Sequence, residues 1–497
     1  MRQVIAPQLK LGEQDIAAIQ LDPKSRDDIP QLLRGLQYIY VTAEVRKQVF
    51  AILAEVMPEG VHGKADAHTG RPGMDQWAVL VLGSLRVGLN IDYDRVHELA
   101  NEHKTLRQML GHAGWAEDER DRYELQTIKD NLRLFTPEIL DRINQVVVAA
   151  GHALVKKSPD ATLAVRADSF VVETHVHYPT DINLLWDAMR KLIEIIAGLC
   201  ADLGMTDWRQ SAYQLRQFKK LFRQVQRLKH STAKDPEKRT AKQEAVRQAH
   251  RDYLDAAETL LTRVRETLWT LQVGLVPAVF LEPLQLYLGH AERQIDQIRR
   301  RVLLGQTIPH EEKVFSLFQP HTEWVSKGKA GVPVELGLRV AVVEDQYRFI
   351  LHHQVMQKTT DDQIAVPLMT ETLARFPHIA SASFDKGFHS PANQTDLAAL
   401  IPQVVMPKKG KLSLVRSAHE HAPEFVALRH QHSAVESAIN ALEVHGLDRC
   451  LDHGIDGFKR YVALAVVARN IQRLGALLRQ QEAEARERQR GPYRRAA

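Results

Sequence analysis

The stretch TLAVRADSFVVETHVHYP, residues 162–179, decides the fold. It is dense in Val, Phe and Thr, which suit a pleated and half-buried surface, so it predicts a β-strand. A carboxylate, Asp168, interrupts it. Burying a charge is costly unless it is paired or holds a cation. Asp168 therefore either faces solvent at a strand end or belongs to a site, and the rest of the chain has to decide which.

Working outward, VELGLRVAVVE (334–344) and YRFILHHQVM (347–356) read as a β-hairpin linked by Asp345 and Gln346. A helix is predicted in DDQIAVPLMTETLARF (361–376), then a strand IASASFD ending at Asp385, a loop KGFHSPAN, a short helix and a strand QVVMP, with helix again after 430. Residues 181 to about 310 are almost continuously helical in pattern. This order predicts an α/β fold: one sheet whose chain is interrupted by a large all-α insert. Upstream, after the turn-like HTGRPG (68–73), residues 74–111 are helical by periodicity, broken near Gly88 and restarted at Asp92. Two helices around a short turn make a candidate helix-turn-helix. The expected divisions are a helical N-terminal region (1–155) suited to binding DNA ends, a sheet-bearing core (156–180 and 314–475), a basic helical insert (181–313) and a charged tail (476–497).

The 497 residues carry a net charge of only +5, which permits an anionic partner without establishing one. Its distribution is more informative. Between Arg209 and Arg251, 13 Lys and Arg stand against three acids, Asp235, Glu237 and Glu244. Leu215, Phe218, Phe222 and Val225 form an apolar stripe there, leaving Arg216, Lys219, Lys220, Arg223 and Arg227 for solvent or a partner. A one-signed face on helices packed by their own stripe points to phosphates, that is, to nucleic acid. Cys200 and Cys450 have neither disulfide nor zinc-ribbon spacing, which suits a reducing, cytoplasmic setting. No signal core opens the chain, and no apolar run is expected to reach the roughly 18 residues of a membrane span.

Asp385 closes its predicted strand as Asp168 lies within the first, and Glu436 sits in the helical HSAVESAINAL (432–442). Acids at such places converge on one sheet edge, and three ionised carboxylates share a small volume only if cations neutralise them. Hard oxygen ligands suit Mg²⁺ or Mn²⁺, and two such ions about 3.5–4 Å apart support phosphoryl transfer. Glu443, seven residues beyond Glu436, is expected near the same helix face, and the small neighbours Ser433, Ala434 and Ser437 favour Glu436. His175 and His177 share an H-x-H spacing, and His352 and His353 lie on a later strand, but without a Cys or further ligand hydrogen-bonded histidines are the better reading.

RADSFVVETHVHYPTD, KGKAGVPVELG (327–337), FDKGFHSPAN and RHQHSAVESAINALEVHGLDRC (429–450), in that order, resemble bacterial insertion-sequence transposases of the DDE type from about residue 70 to 475. The resemblance implies an RNase H-like core and Mg²⁺-dependent cleavage and joining of DNA strands. It also implies a metal-binding triad of Asp168, Asp385 and Glu436, and a homodimer or higher oligomer acting on element ends and target DNA at the bacterial nucleoid. Related elements show Tyr-x₂-Arg-x₃-Glu-x₆-Lys around the last acid; the matching positions here are Arg429, His432, Glu436 and Glu443, so the lysine is replaced by an acid. Lys386, Lys408 and Lys409 are alternative phosphate contacts. The rival readings are a metal-dependent nuclease or resolvase on the same fold, and a catalytically decayed DNA-binding repressor.

Overall fold

The expected strand forms as Leu163–Thr174, β1, and becomes the spine of a seven-stranded mixed sheet in the computed structural model. The structure describes residues 3–5, 15–56, 73–112, 122–156, 158, 160–228, 235–326, 333–408 and 410–489. Most of the HTGRPG turn, the start of KGKAGVPVELG, Lys409 and the last residues of the charged tail lie outside them. The other strands are β2 (Glu323–Ser326), β3 (Val334–Asp345), β4 (Ile350–Val355), β5 (Ile379–Phe384), β6 (Gln403–Val405) and β7 (Arg449–Cys450). β3 runs antiparallel to β1, setting Asp168 opposite Val342 and Arg166 opposite Glu344. β4 is antiparallel to β3, whereas β5 is parallel to β1 on its other side and β6 parallel to β5. The short β2 extends the hairpin edge and β7 pairs with the end of β1; neither was expected from the sequence.

Both faces of this sheet are covered, which explains why its strands lack a simple apolar-polar alternation. Phe170 and Val172 join Leu338, Val340 and Val342 in one core. Leu163, Val165 and Ala167 join Ala341 and Val343 in another, closed by Ile364 and Leu368 of the helix Asp361–Arg375 and by Leu397 of the helix Pro391–Leu400. The N-terminal helices belong to the first core. Leu33 and Leu36 of Asp28–Val41, and Trp77 and Leu80 of Gln76–Gly88, pack with Val462, Val466 and Ile471 of the long helix Gly454–Gln489. Two glycines allow backbones to meet there: a Cβ on Gly35 would lie 2.2 Å from the Ile471 carbonyl oxygen, and one on Gly475 2.0 Å from that of Gln31.

The stretch Gly454–Arg488 is long and apolar enough to cross a membrane, contrary to expectation, but 78% of its apolar window is buried inside the protein. Its apolarity serves this core. The two helices of the helix-turn-helix expectation form, as Gln76–Gly88 and Tyr93–Glu102. Gln76–Gly88 is buried along its whole length, and the following helix Tyr93–Glu102 exposes Asp94, Arg95, Glu98 and Glu102, with Asp92 at its cap. On that outer face Arg95 pairs with Glu98, and Glu102 pairs with Arg122 at 2.8 Å.

The chain falls into two compact units, Met1–His175 with Glu323–Ala497, and Val176–Thr322. The second interrupts the first at slightly wider limits than 181–313. Its helices Asp181–Asp202, Ser211–Arg227, Pro236–Val273 and Ala278–Ile298 bury a core of their own around Leu185, Met189, Phe218, Tyr253 and Leu284. The aromatic rings of Trp186, Phe218 and Tyr253 stack in series, and Trp208 donates through Nε1 to the Thr267 hydroxyl at 3.0 Å.

Candidate active site

Asp168 lies mid-strand on the central β1, Asp385 follows the end of the parallel neighbour β5, and Glu436 sits in the helix Ala434–Leu442. That helix buries Val435, Ala438 and Leu442 and packs on β1, so Glu436 remains exposed beside the sheet. Asp385 is the N-cap of the single turn Lys386–Phe388 and accepts from the Gly387 N–H at 3.4 Å. Asp168 accepts from the Ser169 N–H at 2.7 Å. Burial pushes the Asp168 carboxyl up to about 7; the charges of Asp385, Asp361 and Glu436 add to this, and only the Ser169 hydrogen bond opposes it.

The charges of the other acids expected to converge are therefore felt at Asp168, and among the described residues no cation offsets their effect there. The nearest candidate on its own strand, Arg166, is engaged elsewhere: it pairs at 3.1 Å with Glu344, a 2% exposed carboxyl that burial pushes up to about 7. Among the described residues, no three Asp, Glu, His or Cys side chains are already gathered as a ready metal cluster. Even so, carboxylate oxygens in an uncompensated negative field have the donor chemistry of a Mg²⁺ or Mn²⁺ site. Asp168, Asp385 and Glu436 supply oxygen donors of this kind only.

Asp361 is the acid that sequence reasoning missed. It opens the helix Asp361–Arg375 behind the N-cap Thr360, where acids commonly serve only to complement the helix dipole. Here its Oδ1 accepts from the Ser169 hydroxyl at 2.6 Å. Glu443 is absent from the charges raising Asp168. The backbone from Glu436 to Glu443 is helical and departs from it only at His445 and Gly446, so the seven-residue spacing keeps the two acids near one face, with Glu443 two turns further along.

The other expected contacts divide into two groups. Lys386 and Arg429 are exposed. His432 lies with Nδ1 3.1 Å from the Ser383 hydroxyl of β5; burial lowers its pKa, as does Arg166, against the opposing charges of Asp385 and Glu436. It is therefore a neutral hydrogen-bonding group at this edge rather than a cation. Lys408 is half-buried, its N–H donating to Glu420 Oε1 at 3.0 Å. In the helical unit, Lys219, Lys220, Arg223 and Arg227 are all exposed on the helix Ser211–Arg227 opposite buried Phe218, Phe222 and Val225. None of the four is held in an ion pair among the described residues, whereas Arg251 is paired with Glu244 at 2.8 Å. His177 meets Asp187 at 2.6 Å and His352 contacts Arg375, as hydrogen-bonded histidines do.

Compared with known proteins, the chain matches no family model, no curated protein and no solved structure.

Proposed function

We propose that this chain is a DNA transposase of the DDE type, with an RNase H-like core cutting and joining strands through Asp168, Asp385 and Glu436. The observation that carries the reading is the placing of these three acids on a particular sheet, with the charges of Asp385 and Glu436 felt at Asp168. The strand order β4-β3-β1-β5-β6 has its first three strands antiparallel and its last two parallel, with an acid at mid-β1, one after β5 and one on a later helix against β1. The helical unit Val176–Thr322 then enters as an insert between β1 and β2.

In this reading the rigid β1 fixes Asp168, the capped turn after β5 fixes Asp385, and the buried face of Ala434–Leu442 holds Glu436 at the edge. Two divalent cations held by the three would supply activation of water or a 3′-hydroxyl and stabilise charge on the phosphate. Exposed Lys386 and Arg429 contact the DNA backbone, and neutral His432 donates or accepts one hydrogen bond there. The exposed basic face of Ser211–Arg227 holds duplex without reading its sequence. The protein acts on DNA in the bacterial cytoplasm as a homodimer or higher oligomer.

The test is strand transfer. Pre-cut duplexes with free 3′-hydroxyl ends, taken from the DNA flanking the coding region, are incubated with plasmid, purified chain and Mg²⁺ or Mn²⁺. Joined products support the transposase. Hydrolysis without joining favours a nuclease or resolvase, and DNA retention without either favours a repressor.

A further inference from the structure

We propose that Asp361 is a positioning residue that fixes the strand of Asp168 against the turn of Asp385, and through that spacing sets metal affinity. The inference rests on the metal-site reading above.

One carboxylate lies beside Ser169, next to Asp168, and beside the turn that Asp385 caps. Its Oδ1 accepts from the hydroxyl of Ser169, next to Asp168 in β1, at 2.6 Å. Its Oδ2 lies 2.9 Å from where a Cβ on Gly387 would stand, and Gly387 is the residue whose N–H bonds Asp385. A side chain there would push the Asp361 carboxylate aside. A second tie secures the same helix start to the same turn: the Asn393 amide donates to the Asp362 carbonyl at 2.6 Å and to the Phe388 carbonyl at 2.9 Å. An acid serving only the helix dipole needs no such contacts, and Asp362 already occupies the first turn. Groups outside the ligand set that orient the ligands commonly govern affinity in this way.

The experiment measures Mn²⁺ binding by isothermal titration calorimetry on the full chain and on the Asp361→Ala, Asp361→Asn and Ser169→Ala variants, with circular dichroism and melting in EDTA as the folding control. Asp361→Ala and Ser169→Ala are expected to weaken Mn²⁺ binding by about 10–100-fold with folding retained. Asp361→Asn keeps an oxygen for the Ser169 hydroxyl and restores most of the affinity. Strong loss in Asp361→Asn with none in Ser169→Ala would overturn the positioning role in favour of direct ligation, and unchanged binding in every variant would overturn it outright. Absence of Mn²⁺ binding by the unaltered chain removes the metal reading itself, and this role with it. Gly387→Ala probes the same contact from the other side and should reproduce the loss.

Discussion

Replacing Asp168 by Asn should stabilise the metal-free protein. The Asp168 carboxyl is pushed from its ordinary 3.8 to about 7 in the fold, with burial as the main cause. Between those values the unfolded chain loses its proton while the folded one keeps it, so this group's contribution to stability falls as pH rises across that window and stays low above it. About three pKa units at 1.36 kcal/mol each set a ceiling of about 4 kcal/mol on the penalty at pH 8. Asn keeps the shape and the oxygen that accepts the Ser169 N–H while removing the charge. For a unit of this size, that ceiling corresponds to a rise in melting temperature of about 5 °C. The assay is calorimetric melting in EDTA from pH 4 to 8.5 on the wild type and the variant. The Asn variant's advantage should be near zero at pH 4, grow to pH 7 and then level off. Glu344, pushed up to about 7 by its own burial, contributes a similar slope to both proteins and cancels in the difference. Equal stability at pH 8, or a less stable variant, would refute the claim that Asp168 sits in an uncompensated negative site.

Glu436→Gln should lower metal-dependent DNA cleavage by orders of magnitude while Glu443→Gln leaves most of it, read from the conversion of supercoiled to nicked plasmid. The opposite ranking would mean that the third acid is misassigned. Reversing Lys219, Lys220, Arg223 and Arg227 to Glu should weaken binding to any duplex and lower the slope of log affinity against log salt by up to about 3–4. Fluorescence anisotropy over a salt series checks this, and an unchanged slope returns the helix to a solvated face. Gly475→Ala places a Cβ 2.0 Å from the Gln31 carbonyl oxygen and should cost about 1–3 kcal/mol in urea unfolding, because the two helices must separate.

How far the sequence reveals this arrangement depends on how local each cause is. β1, β3, β4 and β5 were legible because β-branched and aromatic residues cluster there, and Asp168 stood out against that background. β2 and β7, four and two residues long, carry too few side chains to signal a strand. The helix Gln76–Gly88 is apolar over most of its surface, a sign of burial legible in the sequence, whereas the pairing of its Arg86 with the distant Asp452 was not. Glu436 and Glu443 are equivalent by spacing, and their difference is one of position along the helix; the break that follows depends on tertiary packing, since Gly446 has a left-handed φ of 103° and a Cβ there would stand 2.8 Å from the Val87 carbonyl. Asp361 was hidden because an acid in a first helical turn is ordinary; only its distance to Ser169 distinguishes it.

The measurement that tests the central claim most directly is nicking of supercoiled plasmid by the purified chain in Mg²⁺ or Mn²⁺, with Asp168→Asn, Asp385→Asn and Glu436→Gln alongside. The account predicts nicked circles from the wild type, none in EDTA, and loss by orders of magnitude in each variant while plasmid binding persists. Cleavage that survives in any one of the three, or no cleavage by the wild type with either ion, would contradict it.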